Sequence, residues 1–92
     1  DKEGNEIKLF DIIESVDDEA YKKVVLKEEI RMLYYRMESV LSGRERLVLK
    51  LRYGLYDAEE YTQREIAEQL GISRSYVSRI EKSAIEKLKL YF

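Results

Sequence analysis

The chain has 92 residues, of which 17 are Lys or Arg and 19 are Asp or Glu, so its formal net charge is −2. A chain of this length forms one small domain, with or without a tail. It contains no Cys and no His, which excludes disulfides and thiolate metal sites and removes the usual general base. We therefore expect no enzymatic activity, no cofactor and no metal site. Because the chain begins with Asp1, we expect it to be part of a longer protein.

The composition favours helices, because 39% of the residues are charged, Pro is absent, and Leu, Glu, Lys and Arg are abundant. We predict an all-α fold in which residues 20–92 form a small domain of about four helices. An acidic extended arm, residues 1–19, precedes it and holds eight acidic residues and two lysines. The arm is either a linker whose apolar residues dock on a neighbouring domain or a segment that occupies a basic channel in a partner. No apolar run approaches the roughly 18 residues of a membrane span.

A long helix is predicted from Tyr21 to Leu41. Its apolar residues recur at spacings of four and three, which gives a continuous stripe along one face. The members of this stripe are Leu26, Ile30, Leu33, Met37 and Val40. The acidic residues 17–19 lie near the predicted start, where the helix dipole favours negative charge. We expect the stripe to pack on the next helix.

A shorter helix is predicted to follow Ser42 and to end at Gly54. Ser42 and Glu45 have the spacing of a capping box, and Gly is the usual residue at a helix end. The apolar residues expected to face inward are Leu47, Val48 and Leu51.

Basic residues make this shorter helix strongly cationic. Arg44 and Arg52 are eight positions apart, so they lie within about 80° of each other on the helix surface. They either contact phosphates on the two sides of a nucleic-acid groove or are ordinary solvated surface charges.

The stretch from Tyr61 to Lys89 has the pattern of a helix, a tight turn and a longer helix. Thr62 and Glu65 form a second capping-box pair, and Gly71 supplies the backbone freedom for the turn. Ser73 can cap the longer helix. Two helices joined by a short turn that contains Gly form a helix-turn-helix.

The longer helix has two opposite faces. The apolar face consists of Val77, Ile80, Ala84 and Leu88, and the polar face consists of Ser75, Ser78, Arg79 and Lys82, with Arg74 in the first turn. Residues 72–92 carry a net charge of +3 although the whole chain is acidic. Arg and Ser at the start of a helix can contact base edges and phosphates in the major groove of DNA. The alternative is a solvated face with no ligand.

Two joined motifs resemble region 4 of bacterial sigma-70-family sigma factors. They are LSGRERLVLKLRYGL and YTQREIAEQLGISRSYVSRIEKSAIEKLK, with DKEGNEI upstream. Among family members, they are most similar to the sporulation factors of the sigma-K and sigma-E type. The resemblance implies a bacterial cytoplasmic protein that recognises the promoter −35 element and binds core RNA polymerase. The arm then corresponds to the linker between regions 3 and 4, which threads through the polymerase in that family.

The resemblance also implies roles for individual residues. Recognition of the −35 element falls to Arg74, Ser75, Ser78 and Arg79, beside Lys82. Contacts to the DNA backbone fall to Thr62, Gln63 and Arg64, with Arg44 and Arg52 as further DNA contacts. Binding of the flap of the polymerase β subunit falls to Leu47, Leu51 and Leu55.

Three recognition positions depart from the housekeeping pattern. Ser75 replaces an acidic residue, Ser78 replaces an Arg, and Arg79 replaces a Gln, so we expect a different −35 sequence to be read. Two other functions stay open: a stand-alone helix-turn-helix regulator, and a module that mainly binds an anti-sigma protein. Operator binding without affinity for the β flap indicates the first, and a tight protein complex over Leu47–Leu55 indicates the second.

Overall fold

The computed structural model describes residues 4–14 and 25–92, and the regular secondary structure in these ranges is entirely helical. The helices are α1 (Asn5–Ile13), α2 (Lys27–Val40), α3 (Gly43–Tyr53), α4 (Gln63–Leu70) and α5 (Arg74–Lys89). The predicted all-α class is therefore confirmed, with α2 to α5 as the four expected helices. None of the described helices is long and apolar enough to cross a membrane.

The predicted helix ends are formed by local hydrogen bonds. Ser42 Oγ accepts from the backbone N–H of Glu45 at 3.2 Å, and the Glu45 carboxylate accepts from the N–H of Ser42 at 2.8 Å. Thr62 and Glu65 make the same reciprocal pair at 3.1 and 2.8 Å. These bonds satisfy N–H groups that the first turn of a helix leaves without partners. Both capping boxes predicted from the sequence are confirmed.

The N-terminal arm is not extended where the structure describes it, because Asn5–Ile13 forms α1. Leu9, Phe10 and Ile13 are at most 5% exposed and belong to the main core. Their spacing puts them on one face of a helix, and burying that face outweighs the polar composition of the segment. The rest of the predicted arm, residues 1–3 and 15–19, and its boundary with the domain lie outside the described residues.

The second helix begins later than predicted, at Lys27. Leu26 precedes the first turn and is 59% exposed, so it does not belong to the buried stripe. The Glu29 carboxylate accepts from the N–H of Leu26 at 3.2 Å, which fixes the start of the helix at this position. Leu33 and Met37 are fully buried, as the periodicity predicts. The predicted segment 21–24 and the acidic residues 17–19 lie outside the described ranges.

The core has two parts, and α5 contributes to both. The main cluster joins α1, α2, α3 and α5, and it includes Ala84 and Leu88 from the second half of α5. The smaller cluster lies beneath the helix-turn-helix and consists of Val48, Ile66, Ala67, Val77 and Ile80. The α5 helix is thus held along its length by apolar contacts, which fixes the side that it turns to solvent.

The buried face of α3 differs from the prediction at two positions, Leu47 and Leu49. Val48 and Leu49 are fully buried, whereas Leu47 is 36% exposed and does not face inward. Glu45 occupies a buried position because its carboxylate accepts hydrogen bonds from Ser83 Oγ and Lys87 Nζ, each at 2.9 Å. These contacts hold the Glu45 side of α3 against α5, and Leu47 lies at the edge of the packed face.

Candidate nucleic-acid interface

The polar face of α5 is fully presented to solvent. Ser73 Oγ accepts from the backbone N–H of Tyr76 at 3.1 Å, so the helix starts at Arg74 as predicted. All five predicted members of this face are exposed: Arg74, Ser75, Ser78, Arg79 and Lys82. The opposite face is buried, and none of its four apolar residues is more than 7% exposed. We refer to the five exposed residues as the recognition face.

Tyr76 is a neighbour of the recognition face that the sequence analysis did not single out. Its ring is 42% exposed, and the guanidinium carbon of Arg79 lies 5.7 Å from the ring centroid. The guanidinium carbon of Arg44, on α3, lies 6.0 Å from the same centroid. Tyr76 thus brings Arg44 beside the recognition face through cation–π contacts. An exposed aromatic residue in the first turn of a candidate recognition helix was the available signal.

Arg52 lies in a different environment from Arg44. Its side chain is 35% exposed, and its Nε lies 3.4 Å from Oε1 of Glu81 on α5. The same Oε1 accepts a hydrogen bond of 2.8 Å from Nε2 of Gln63, the first residue of α4. The structure therefore brings two predicted DNA contacts, Arg52 and Gln63, together around one carboxylate.

Glu81 is a buried acidic residue of this interface that was not predicted from the sequence. Its second oxygen, Oε2, accepts a hydrogen bond of 2.9 Å from the hydroxyl of Tyr53 at the end of α3. Burial and the neighbouring Glu81 carboxylate raise the pKa of Tyr53 above its usual range, so the hydroxyl remains a donor. Glu81 is only 9% exposed. In the sequence, Glu81 is only an acidic residue next to the apolar stripe of the helix. That pattern does not predict its hydrogen-bond partners Tyr53 and Gln63, which are 28 and 18 positions away.

The other predicted contacts of α4 lie at its N-terminus. Arg64 is exposed, and Thr62 is exposed while its hydroxyl accepts from the N–H of Glu65. Thr62 therefore has a structural role as the cap whether or not it also contacts a ligand.

The three residues predicted to bind polymerase are not equivalent. Leu47 is on the surface, in a shallow groove that also includes Lys50 and Tyr56. Leu51 is partly buried and packs on the smaller core cluster. Leu55 is completely buried in the main cluster, so it cannot form part of a surface as the sequence analysis expected. Its apolar side chain closes the core below the end of α3.

Comparisons with known proteins agree with this architecture. The family Sigma-70, region 4 matches residues 39–90, more than half of the chain. The chain is 47% identical over 88 residues to the RNA polymerase sigma-K factor of Bacillus subtilis, a match that covers 96% of this chain and 30% of that protein. It is 48% identical over 88 residues to the RNA polymerase sigma-28 factor of Bacillus thuringiensis, covering 96% of this chain and 37% of that protein.

A third relative is the RNA polymerase sigma-E factor of Clostridium acetobutylicum, which is 39% identical over 89 residues. That match covers 97% of this chain and 37% of the relative, so the chain spans about a third of the length of the proteins it matches. No solved structure matches the chain. The chain belongs to the sigma-70 family, and it carries region 4, the helix-turn-helix DNA-binding domain of these non-enzymatic transcription initiation factors.

Proposed function

We propose that this domain recognises a promoter −35 element and holds core RNA polymerase at that site, at promoters of sporulation genes. The observation that carries the proposal is the recognition face: five exposed polar or cationic side chains between the start and the middle of α5, opposite a buried apolar face. The assignment to sporulation rests on the similarity to factors of the sigma-K and sigma-E type.

In this proposal, the first turns of α5 enter the major groove. Arg74 and Arg79 can each donate two hydrogen bonds to O6 and N7 of guanine, and the hydroxyls of Ser75 and Ser78 can bond to bases or phosphates. Lys82 lies further along the helix and contacts the backbone as a point charge. The two guanidinium groups supply most of the base selectivity, because a bidentate pair discriminates by about 1–3 kcal/mol.

Contacts to the DNA backbone come from neighbouring helices. Arg44 is held beside the recognition face by Tyr76, and Arg64 is exposed at the N-terminus of α4. Such contacts fix the register of a protein on the duplex without reading its sequence. Because the net charge of residues 72–92 is only +3, few phosphates are neutralised, and binding by the domain alone is weak at physiological salt.

Polymerase binding is assigned to the surface around Leu47. Leu47 and Tyr56 are 36% and 38% exposed, and they share a groove with Lys50 and Arg46. Glu38 also lines this groove and lies 3.7 Å from Arg46, so the charged part of the lining is only slightly positive. The exposed apolar surface with this small positive charge suits a partner segment that carries apolar residues and some acidic ones. We propose that the flap of the β subunit binds here, with Leu51 contributing its exposed part. An anti-sigma protein that covers the same groove would compete with the flap.

The segment 1–19 is proposed to be the linker between regions 3 and 4. In the structure, α1 within this segment packs on the main core through Leu9, Phe10 and Ile13. If residues 5–13 pass through a channel of the polymerase in extended form, α1 must leave this core first. The two arrangements are then alternative states of one segment.

The DNA assignment is tested with Arg74→Ala and Arg79→Ala in the purified chain. Binding of a fluorescently labelled random-sequence duplex is measured by anisotropy at low salt. Arg31→Ala is the matched control, because this substitution removes the same charge. Arg31 is exposed on α2 and, in the described part of the chain, pairs only with the exposed Glu28. We expect each recognition-face variant to bind more weakly than the control. Equal affinities for all three variants would contradict the assignment.

A further inference from the structure

We infer that Glu81 is a positioning residue that holds Arg52 and Gln63 in place for contact with the DNA backbone. The inference rests on the proposed DNA roles of those two residues. It adds a function for a buried acidic side chain that neither the family resemblance nor the recognition face explains.

Glu81 joins three helices of the domain. This single carboxylate on α5 contacts Tyr53 at the end of α3, Gln63 at the start of α4, and Arg52 on α3. Each of its two oxygens accepts one hydrogen bond, at 2.9 Å from Tyr53 and 2.8 Å from Gln63. The position of the α4 N-terminus relative to α5 is therefore fixed by a hydrogen bond and not only by apolar packing.

Arg52 is held beside Glu81 without a hydrogen bond from its Nε to any residue in the ranges 4–14 and 25–92. This Nε is buried next to Glu81, so the attraction between the two groups is mainly electrostatic. Within the described residues, no other ion pair engages Arg52, and we assign its terminal nitrogens to a phosphate. Arg side chains lose much rotamer freedom when they bind. A nearby carboxylate reduces that cost because it restrains the guanidinium before DNA arrives.

The sign of the effect separates positioning from simple electrostatics. A carboxylate near a DNA-binding surface repels phosphates, so its removal by itself strengthens binding. If Glu81 positions Arg52 and Gln63, its neutralisation weakens binding instead. If Glu81 only joins helices, affinity stays unchanged or increases as long as the domain remains folded.

The test compares Glu81→Gln with Glu86→Gln in the purified chain. Glu86 is an exposed acidic residue on the same helix, so the control removes the same charge without disturbing the Glu81 contacts. The probe is a labelled random-sequence duplex titrated at several salt concentrations. We expect Glu81→Gln to bind about three- to tenfold more weakly and the salt slope to fall by about 1, as for loss of one phosphate contact. Glu86→Gln should bind as tightly as the parent or more tightly.

A second comparison tests whether the effect of Glu81→Gln on DNA affinity depends on Arg52 and Gln63. In an Arg52→Ala, Gln63→Ala background, Glu81→Gln should have little further effect on affinity, since the residues it positions are gone. A folded Glu81→Gln variant that binds as well as the parent would overturn the inference while leaving the proposed DNA contacts intact. If Arg52→Ala and Gln63→Ala do not weaken binding, their proposed DNA roles fail and the inference fails with them.

If Glu81→Gln does not fold, Glu81→Asp replaces it in the DNA-binding measurement. Asp retains the charge but is one methylene shorter, so it cannot reach Tyr53, Gln63 and Arg52 together. Helicity and thermal unfolding are recorded by circular dichroism, and affinities are compared only for folded protein. Weaker binding by folded Glu81→Asp supports positioning, and unchanged binding overturns it.

Discussion

The side-chain amide of Asn5 donates a hydrogen bond of 3.1 Å to the carbonyl oxygen of Gly54, joining α1 to the end of α3 across 49 positions of the chain. Asn5 is only 7% exposed, so this bond is largely shielded from water. Gly54 has φ +66°, and a Cβ at this position would lie 2.8 Å from the Asn5 amide nitrogen and 3.1 Å from the carbonyl oxygen of Ala58. The hydrogen bond between Asn5 and Gly54 in this geometry therefore requires a residue without a side chain at position 54.

Gly54→Ala should destabilise the domain by about 2–4 kcal/mol. The alanine adopts an unfavourable left-handed backbone conformation, and its Cβ also clashes with neighbouring atoms. Gly71→Ala is the matched control, since Gly71 has φ +68° but, among the described residues, no atom beyond its chain neighbours lies within 4 Å of the added carbon. It should cost only about 1–2 kcal/mol. Urea unfolding monitored by circular dichroism measures both free energies. Equal losses for the two variants would show that the contact between Asn5 and Gly54 does not constrain the fold.

Phe10→Ala should lower the free energy of unfolding by about 3–5 kcal/mol. Phe10 is 1% exposed, and its ring packs edge-on against Phe92 with the centroids 5.3 Å apart. Ile12→Ala on the same helix is the control, because Ile12 is 40% exposed and its truncation should cost less than about 1 kcal/mol. Urea unfolding again gives both values. A similar small loss for both variants would mean that α1 is not part of the cooperative core.

Glu45 should make the stability of the domain depend on acid pH. Burial by itself would raise the pKa of its carboxyl, but hydrogen bonds from the N–H of Ser42 and from Lys87 and Ser83 outweigh burial and lower the pKa from 4.5 to about 2. A carboxyl whose pKa is lower in the folded state contributes its full stabilisation above the unfolded pKa and loses it as the pH falls. The window for this loss runs from about pH 4.5 down to about pH 2.

Glu45→Gln should therefore reduce stability at neutral pH by on the order of 1–2 kcal/mol after allowance for solvent screening, and it should flatten the loss in this acid window. Thermal unfolding between pH 2 and pH 7 measures the effect. Glu68→Gln is the control, because Glu68 is exposed on α4. If the parent and Glu45→Gln lose stability in parallel as the pH falls, the carboxylate of Glu45 is not the group responsible.

Leu47→Ala should weaken binding of the chain to the isolated β flap domain of RNA polymerase severalfold, because it removes apolar contact area from the proposed groove. Leu90→Ala is the matched control, since Leu90 is 81% exposed and lies at the end of α5, away from that groove. Isothermal titration calorimetry gives both affinities. Equal binding by the two variants would place the flap on another surface.

The features predicted correctly from the sequence are those fixed by nearby residues. The capping pairs of Ser42 with Glu45 and Thr62 with Glu65 connect positions three apart, and both are formed. The two faces of α5 follow from helix periodicity alone. Local patterns of this kind are sufficient for the helix-turn-helix and for the recognition face.

The features that were missed depend on contacts between distant parts of the chain. Glu45 is buried because Lys87, 42 positions away, supplies a compensating charge. Glu81 and Leu55 are buried by partners on other helices, and their own sequence neighbourhoods do not reveal this. The N-terminal arm was predicted to be extended because its carboxylates dominate the composition, while the apolar face of α1 gains its stability only from the core that it meets.

The most direct test of the central claim is a selection of random duplex DNA by a full-length sigma factor that carries this chain as its region 4, assembled with core RNA polymerase. Sequencing of the retained DNA should reveal a −35-like element at a fixed distance from a second promoter element. Arg79→Ala should change the bases enriched in the −35-like element without changing that distance. Enrichment of a lone or palindromic site, equally strong without core polymerase, would contradict the proposal and indicate a stand-alone regulator.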